Sequence, residues 1–144
     1  MPIVTKPRLH HIALTVIDVD ASVPWYENVF GIRFRTDVPH QGGVGKLLAD
    51  DTMDLMIVLH EHDTSRGDLF GETVTGLDHV GFFVPNRADL EAWQAHLDTH
   101  GVARSSVADK PLTQSPIADE NYGSVLVFRD PDNIQLELFC PPGT

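Results

Sequence analysis

The chain has 144 residues and a formal net charge of −11, with 21 acidic and 10 basic side chains. Its hydrophobic share of 42% suffices for the core of one domain or of two small modules. The negative charge argues against nucleic-acid binding, which needs a basic face. There is no run of about 18 apolar residues, which a membrane span would need, and no signal-peptide pattern. The single cysteine, Cys140, excludes an internal disulfide. These features predict a soluble, cytoplasmic protein.

The first half of the chain has the pattern of a β-α-β-β-β unit. Residues 9–17 predict a buried strand, and residues 21–30 predict a short helix with Pro24 in its first turn. Gly31 stands where a helix C-terminal glycine is expected. The next segments predict three strands, namely IRFRTDV, GKLLA and DLMIVLH.

The second half has the same order of elements. Residues 78–84 predict a strand and residues 87–100 predict an amphipathic helix. A strand near 102–107 leads into a polar segment, and the segments GSVLVFRD and NIQLELF predict two final strands. The turn that joins them contains Asp130-Pro-Asp-Asn, a strong turn sequence.

The two halves are copies of one pattern that begins with a histidine. The first copy starts at His11 with HIALTVIDVDAS, and the second starts at His79, 68 residues later, with HVGFFVPNRADL. In both, the imidazole precedes five mostly apolar residues, a turn and a helix. A repeat of this kind predicts a pseudo-symmetric fold with two matching metal-ligand positions.

Alignment of the two final hairpins extends the comparison. Matching Asp50 to Asp130 places Ile57 at the position of Glu137 and makes the second copy 12 residues longer. The excess falls within the polar segment 103–122. A lid over a cavity and a mobile surface loop are both open interpretations of that segment.

Three segments resemble the vicinal oxygen chelate superfamily: HHIALTVIDVDASVPWYENVFGI, GLDHVGFFV and VFRDPDNIQLELF. This superfamily includes glyoxalase I, fosfomycin-resistance transferases, bleomycin-binding proteins and extradiol dioxygenases. The resemblance implies an α+β fold of two βαβββ modules, here 1–74 and 75–144, whose curled mixed sheets form a half-barrel around a cleft. It also implies a homodimer. The family's metal ligands lie on the first and last strand of each module, which here gives His11, His79 and Glu137, with Ile57 at the fourth position.

Two imidazoles and a carboxylate at these positions suit a divalent cation such as Zn, Mn, Fe, Ni or Co. Coordination positions left open can accept two adjacent oxygens of a substrate, and the metal then acts as a Lewis acid. Because side chains alternate along a strand, the cavity is expected to be lined at every second residue from the ligands. The residues predicted to line it are Ala13, Thr15, Ile57, Phe83, Gln135 and Phe139.

Five other histidines, namely His10, His60, His62, His96 and His100, are not expected to bind the metal. His10 is expected to point away from His11, because neighbouring strand residues face opposite sides. His60 and His62 are expected in a solvated loop, with an acid/base role as the alternative. His96 and His100 have zinc-compatible spacing on a helix, but surface packing is the preferred interpretation.

The first functional hypothesis is a metal-dependent lyase, isomerase or transferase for a small molecule with adjacent oxygens, its catalytic base unassigned. Glyoxalase I is disfavoured by Ile57, which stands where that enzyme has an acidic ligand. A fosfomycin transferase is disfavoured because no Arg follows Glu137. The competing hypothesis is a metal-free protein that sequesters its ligand, as bleomycin-binding proteins do. A ring-cleaving dioxygenase is the weaker alternative, because residues 119–121 replace its expected catalytic His.

Overall fold

The computed structural model describes residues 4–144, which fold into two compact units, residues 4–66 and Gly67–Thr144. The boundary lies earlier than the sequence-based division at 74/75. The segment between the two boundaries belongs to the second unit because it is hydrogen-bonded to that unit. Phe70 N donates to Asp132 O at 2.9 Å, and Glu72 accepts two hydrogen bonds from the Arg129 guanidinium, each of 3.0 Å. No helix within residues 4–144 is long and apolar enough to cross a membrane.

The first unit contains the predicted β-α-β-β-β order. Its elements are β1 (Ile12–Thr15), α1 (Val19–Phe30), β2 (Arg33–Asp37), β3 (Gly43–Ala49) and β4 (Met56–His62). The sheet order is β1-β4-β3-β2, with β1 parallel to β4 and the other pairs antiparallel. Asp18 caps α1 by accepting a bond from Asp20 N at 2.9 Å, and Gly31 ends it with a left-handed φ of 67°. Pro24 lies inside α1 rather than in its first turn, because the helix begins at Val19.

The second unit repeats this plan with added strands. Its elements are β5 (Val80–Phe83), α2 (Arg87–Thr99), β6 (Ala103–Arg104), β7 (Thr113–Gln114), β8 (Ala118–Glu120), β9 (Gly123–Arg129) and β10 (Gln135–Cys140). The sheet order is β5-β10-β9-β7-β6, and β8 also pairs with β9. β5 is parallel to β10, as β1 is to β4.

The polar segment 103–122 is largely tied to this second sheet. It supplies β6, β7 and β8, of which β7 and β8 pair with β9. Gln114 is fully buried, and its side-chain amide donates to Asp98 Oδ1 and to Val102 O, both at 2.9 Å. These bonds hold the middle of the segment against α2, as a part of the sheet rather than a loose lid.

In both units, one face of the sheet carries the helix and the core. Along β10, Leu136, Leu138 and Cys140 are at most 1% exposed, whereas the alternate residues from Gln135 onward are partly exposed. α2 packs on β9 and β10, and α1 packs on β3 and β4. The opposite face of the second sheet, which carries Gln135, Glu137 and Phe139, is therefore the more exposed one.

The observed strand pairing changes which residue of the first unit corresponds to Glu137. Glu137 pairs with Gly81, and Val58 pairs with Ala13. Gly81 and Ala13 are each the second residue after the repeated imidazole. Val58, not Ile57, is therefore the counterpart of Glu137 in the first sheet, and a one-residue shift moves a side chain to the opposite face.

The difference arises in the hairpin turns. Ala49 pairs with Met56, so six residues form the first turn, whereas Arg129 pairs with Gln135, so five residues form the second. In the first turn Met53 adopts a positive φ of 60°. An alignment that counts from the aspartates opening the two turns misses this extra residue.

Ile57 consequently does not line the ligand-facing side, contrary to the sequence-based prediction. It is 1% exposed and pairs with Ile12, beside the pair formed by Leu14 and Leu59. Leu14 and Leu59 are also buried, at 4% and 0%. Ile57 thus belongs to the core under α1. The fourth position remains apolar, since Val58 cannot bind a metal either.

Candidate metal centre

The second unit brings His79 and Glu137 together. His79 immediately precedes β5, and Glu137 lies in the neighbouring parallel strand β10. His79 Nε2 is 3.6 Å from Glu137 Oε2, with 40% and 22% of the two side chains exposed. Gly81 pairs with Glu137, and a Cβ built there would meet nothing within 4 Å among the described residues. The space beside the two side chains is therefore open.

The separation of these two atoms suits a shared divalent cation. At 3.6 Å it exceeds the roughly 2.7–3.2 Å of a direct N–H···O hydrogen bond. An imidazole nitrogen and a carboxylate oxygen bound to one tetrahedral Zn²⁺, each at about 2.1 Å, would stand about 3.4 Å apart. Across residues 4–144, however, no three His, Cys, Asp or Glu side chains are arranged to hold a metal ion. The second unit thus presents two side chains whose spacing fits a metal ion, rather than an assembled site.

Asp78 and Gln135 surround the other side of the His79 ring. His79 Nδ1 lies 2.6 Å from Asp78 Oδ1. Gln135 Nε2 donates to Asp78 Oδ1 and to the backbone oxygen of Asp78, both at 3.2 Å. Sequence reasoning missed Asp78, because an acid before a strand is common in turns and carries no specific signal.

The first unit supplies His11, which immediately precedes β1 and is exposed. Strand alternation predicted that His10 points to the side opposite His11, but the two rings are in contact. His10 Nδ1 lies 2.9 Å from His11 Nδ1, and the two rings meet edge to face with centroids 5.2 Å apart. Both residues stand outside the paired strand, so the backbone does not impose alternation on them.

Four other residues predicted to line the cavity lie on the sheet face opposite to the core of their unit: Ala13, Thr15, Phe83 and Phe139. Ala13 and Thr15 are exposed on the face of β1 opposite to Leu14. Phe83 pairs with Phe139 on the Glu137 face of the second sheet, and Phe83 is 68% exposed. This face is mainly apolar, with Gln135 as a polar neighbour of Glu137.

Arg129, which pairs with Gln135, already has partners for its cationic group. It bonds both carboxylate oxygens of Glu72 and the backbone oxygens of Ala108 and Asn133. These hydrogen bonds lower the pKa of Glu72 to about 2. The guanidinium is only 4% exposed and is thus committed to this structural ion pair.

A cluster of three histidines in the first unit was missed by sequence reasoning. The ring centroids of His40 and His60 are 4.8 Å apart, those of His40 and His62 are 5.0 Å apart, and those of His60 and His62 are 6.1 Å apart. His60 and His62 lie inside β4, not in a solvated loop. His40 reaches them because the chain turns back into β3.

Two glycines of β3 make room for this cluster. Gly45 pairs with His60, and Gly43 with His62. A Cβ on Gly45 would lie 2.7 Å from His60 Cε1, and one on Gly43 would crowd the His40 ring. His40 Nε2 and His60 Nδ1 are buried and have no hydrogen-bond partner among residues 4–144. Burial, followed by the neighbouring His40 and His62, lowers the pKa of His60 below its ordinary value.

Two surface grooves lie in the first unit. One, of about 270 Å³, is formed by α1 with Phe34 and Lys46. The other, of about 250 Å³, is formed by residues 8–10 with Met53, Asp54 and Met56. The predicted ligands His11, His79 and Glu137 line neither of these two grooves.

Known proteins resemble this chain over most of its length. A glyoxylase/bleomycin resistance protein/dioxygenase domain from Frankia sp. EAN1pec is 31% identical, covers 97% of this chain and 96% of its own, and superposes with a TM-score of 0.81. The fosfomycin resistance protein FosX from Listeria monocytogenes, in a mutant form complexed with Mn(II) and 1S,2S-dihydroxypropylphosphonic acid, is 20% identical, with 94% and 90% coverage and a TM-score of 0.65. At that identity the likeness concerns the fold.

A catechol-2,3-dioxygenase of Bacillus subtilis (strain 168) is 28% identical over 88% of this chain, which spans only 39% of that protein's length. The model of the Glyoxalase/Bleomycin resistance protein/Dioxygenase superfamily matches residues 8–138. The expected α+β fold of two helices and two mixed sheets is confirmed. The chain therefore belongs to the Glyoxalase/Bleomycin resistance protein/Dioxygenase superfamily.

Proposed function

We propose that the protein is a metal-dependent enzyme that acts on a small molecule with two adjacent oxygen atoms, as a lyase, isomerase or transferase. The observation that carries the proposal is the His79–Glu137 pair, whose 3.6 Å separation suits two ligands of one cation. His11 is proposed as the third ligand, because it stands at the matching place of the repeat.

The proposed function gives separate roles to the metal-binding side chains and to the apolar side chains beside them. His79 and Glu137 hold the cation, which supplies a Lewis acid for an oxygen-centred anion when it is bound. One carboxylate and neutral imidazoles leave a divalent cation with residual positive charge, which favours an anionic substrate oxygen. Phe83 and Phe139 flank this position on the same sheet face. Their apolar rings favour an aryl or alkyl body on the substrate and limit access of water to the polar end.

The availability of basic side chains near Glu137 limits which anionic substrates could bind. Arg129 is committed to Glu72, so it does not offer its charge to a ligand. Residues 138–144, which follow Glu137, contain no Arg or Lys. A dianionic phosphonate, the group in the FosX ligand, would gain no counter-charge from Arg129 or from residues 138–144. A neutral or weakly acidic diol, hydroxy-carbonyl compound or catechol fits better.

A metal-free ligand-binding protein is the second candidate. It is favoured by the absence, within residues 4–144, of three metal-binding side chains already arranged around one point. A dioxygenase that uses the same two ligands for iron is a variant of the first candidate, favoured by the similarity to catechol-2,3-dioxygenase.

Binding of paired probes separates the candidates. Catechol has two adjacent oxygens, and phenol has one. Calorimetry on protein loaded with Mn²⁺ should give clearly tighter binding of catechol than of phenol, and the preference should vanish in metal-free protein. Equal preference with and without the metal would reject chelation and support the binding-protein candidate. The matched control is His96→Ala, an imidazole removed from the surface of α2, which should leave both affinities unchanged.

A further inference from the structure

We propose that Asp78 is a positioning residue that fixes the tautomer and orientation of the His79 ring, and that Gln135 holds Asp78 in place for this role. The proposal deepens the metal-binding function and rests on it in part, because the aligned nitrogen is the one that would bind the cation. Its central claim, the state of the His79 ring, concerns the metal-free protein and can be measured there.

The hydrogen bond between the two neighbours determines where the ring proton lies. A carboxylate can only accept a hydrogen bond, so the 2.6 Å contact requires the proton to be on His79 Nδ1. A neutral imidazole has a single N–H, so Nε2 then carries a lone pair. That nitrogen is the one that faces Glu137 Oε2 at 3.6 Å. Metal ligation needs this lone pair.

Gln135 restrains the carboxylate from the adjacent strand. Its side chain reaches two oxygens of Asp78, at 3.2 Å each, and since both are acceptors, the amide nitrogen must be the atom that faces them. Gln135 and Glu137 are two residues apart and share one face of β10. β10 therefore supplies the proposed ligand Glu137 directly, and through Gln135 and Asp78 it also supports the proposed ligand His79.

The exposure of Asp78 argues for a local role rather than a structural one. Its side chain is 67% exposed, and that of His79 is 40% exposed. Exposed ion pairs contribute little to folding. Loss of the carboxylate should thus leave the fold intact and change the ring that it contacts, as outer partners of metal-binding histidines commonly do.

Imidazole NMR on ¹⁵N-histidine-labelled, metal-free protein tests the claim directly. We expect the neutral His79 ring to be protonated at Nδ1 in the native chain. In Asp78→Ala it should shift towards the Nε2–H form, because Glu137 is then the nearer acceptor. Asp78→Asn should retain the Nδ1–H form in part, since its amide oxygen can still accept. An unchanged tautomer in Asp78→Ala would overturn the proposal.

Metal affinity provides a second readout. Titration with Mn²⁺ should show binding weakened by about 10–100-fold in Asp78→Ala, with Asp78→Asn between it and the native protein. Asp109→Ala, which removes an exposed acid of the same unit, is the control for net charge and should bind as the native protein does. Equal affinity in the Asp78→Ala and Asp109→Ala proteins would reject the positioning role.

The two arms also separate this proposal from the proposed function. A native protein that binds no Mn²⁺, yet shows the tautomer shift on loss of Asp78, would reject the metal-dependent enzyme and support the positioning of the ring. A native protein that binds Mn²⁺, with an Asp78→Ala variant indistinguishable from it in both readouts, would support the enzyme and overturn the role of Asp78.

Discussion

Val58 occupies in the first sheet the position that Glu137 occupies in the second, as their pairing with Ala13 and Gly81 demonstrates. The pseudo-symmetric fold thus carries a carboxylate in one unit and an isopropyl group in the other. The first unit therefore has an apolar side chain at the position where the second unit has a carboxylate.

The burial of Ile57 predicts a structural role without a part in metal binding. Ile57→Ala should lower the free energy of unfolding by roughly 2–5 kcal/mol, because it leaves a cavity under α1. Urea denaturation measures this cost, and Leu59→Ala, on the same buried face, should behave alike. Mn²⁺ stoichiometry should be unchanged in Ile57→Ala. Lost metal binding with native stability would contradict the assigned register.

The glycines of β3 predict a steric effect that depends on position. Gly45→Ala should destabilise the protein by roughly 1–3 kcal/mol, because its Cβ would lie 2.7 Å from both the His60 ring and the backbone oxygen of Val38. Gly81→Ala is the matched control, since a Cβ there meets nothing within 4 Å among the described residues and its φ is not positive. Thermal unfolding of both variants would reveal the contrast, and similar losses would refute the close approach of His60.

The histidine cluster predicts a pH dependence of stability. Burial and then His40 lower the pKa of His60 from 6.5, so the folded state binds this proton less readily than the unfolded state. Its contribution to stability is therefore present above pH 6.5 and declines as the pH falls through that value to the folded pKa. NMR titration should place the His60 pKa below 6.5, and His40→Ala should raise it. An unshifted His60 would contradict the packing of the cluster.

Much of the fold follows from local sequence signals. The β-α-β-β-β order of the first unit was predictable because apolar alternation and a helix-ending glycine such as Gly31 act over a few residues. In the second unit the short strands β7 and β8 were not predicted. The error at Ile57 came from one extra residue in a hairpin turn, which composition does not reveal. Strand alternation placed Phe83, Gln135 and Phe139 correctly on one face of the second sheet.

The candidate site was only partly predictable. The repeat and the resemblance identified His79 and Glu137, whose contact depends on parallel pairing of β5 with β10. Asp78 carried no local signal, because its contact with the ring depends on side-chain geometry. His40 joins His60 only after β3 pairs with β4, a contact between residues 20 positions apart. Alternating glycines opposite alternating histidines were the one available sign.

Metal content of the purified protein tests the central claim most directly. Protein prepared without chelators, and then supplemented with Mn²⁺, Zn²⁺ or Fe²⁺ and desalted, should retain about one equivalent of metal by mass spectrometry. His79→Ala and Glu137→Gln should each lose it while circular dichroism remains native, and His96→Ala should retain it. Native protein that retains less than about a tenth of an equivalent of every metal, or a His79→Ala protein that retains as much as the native one, would contradict the account.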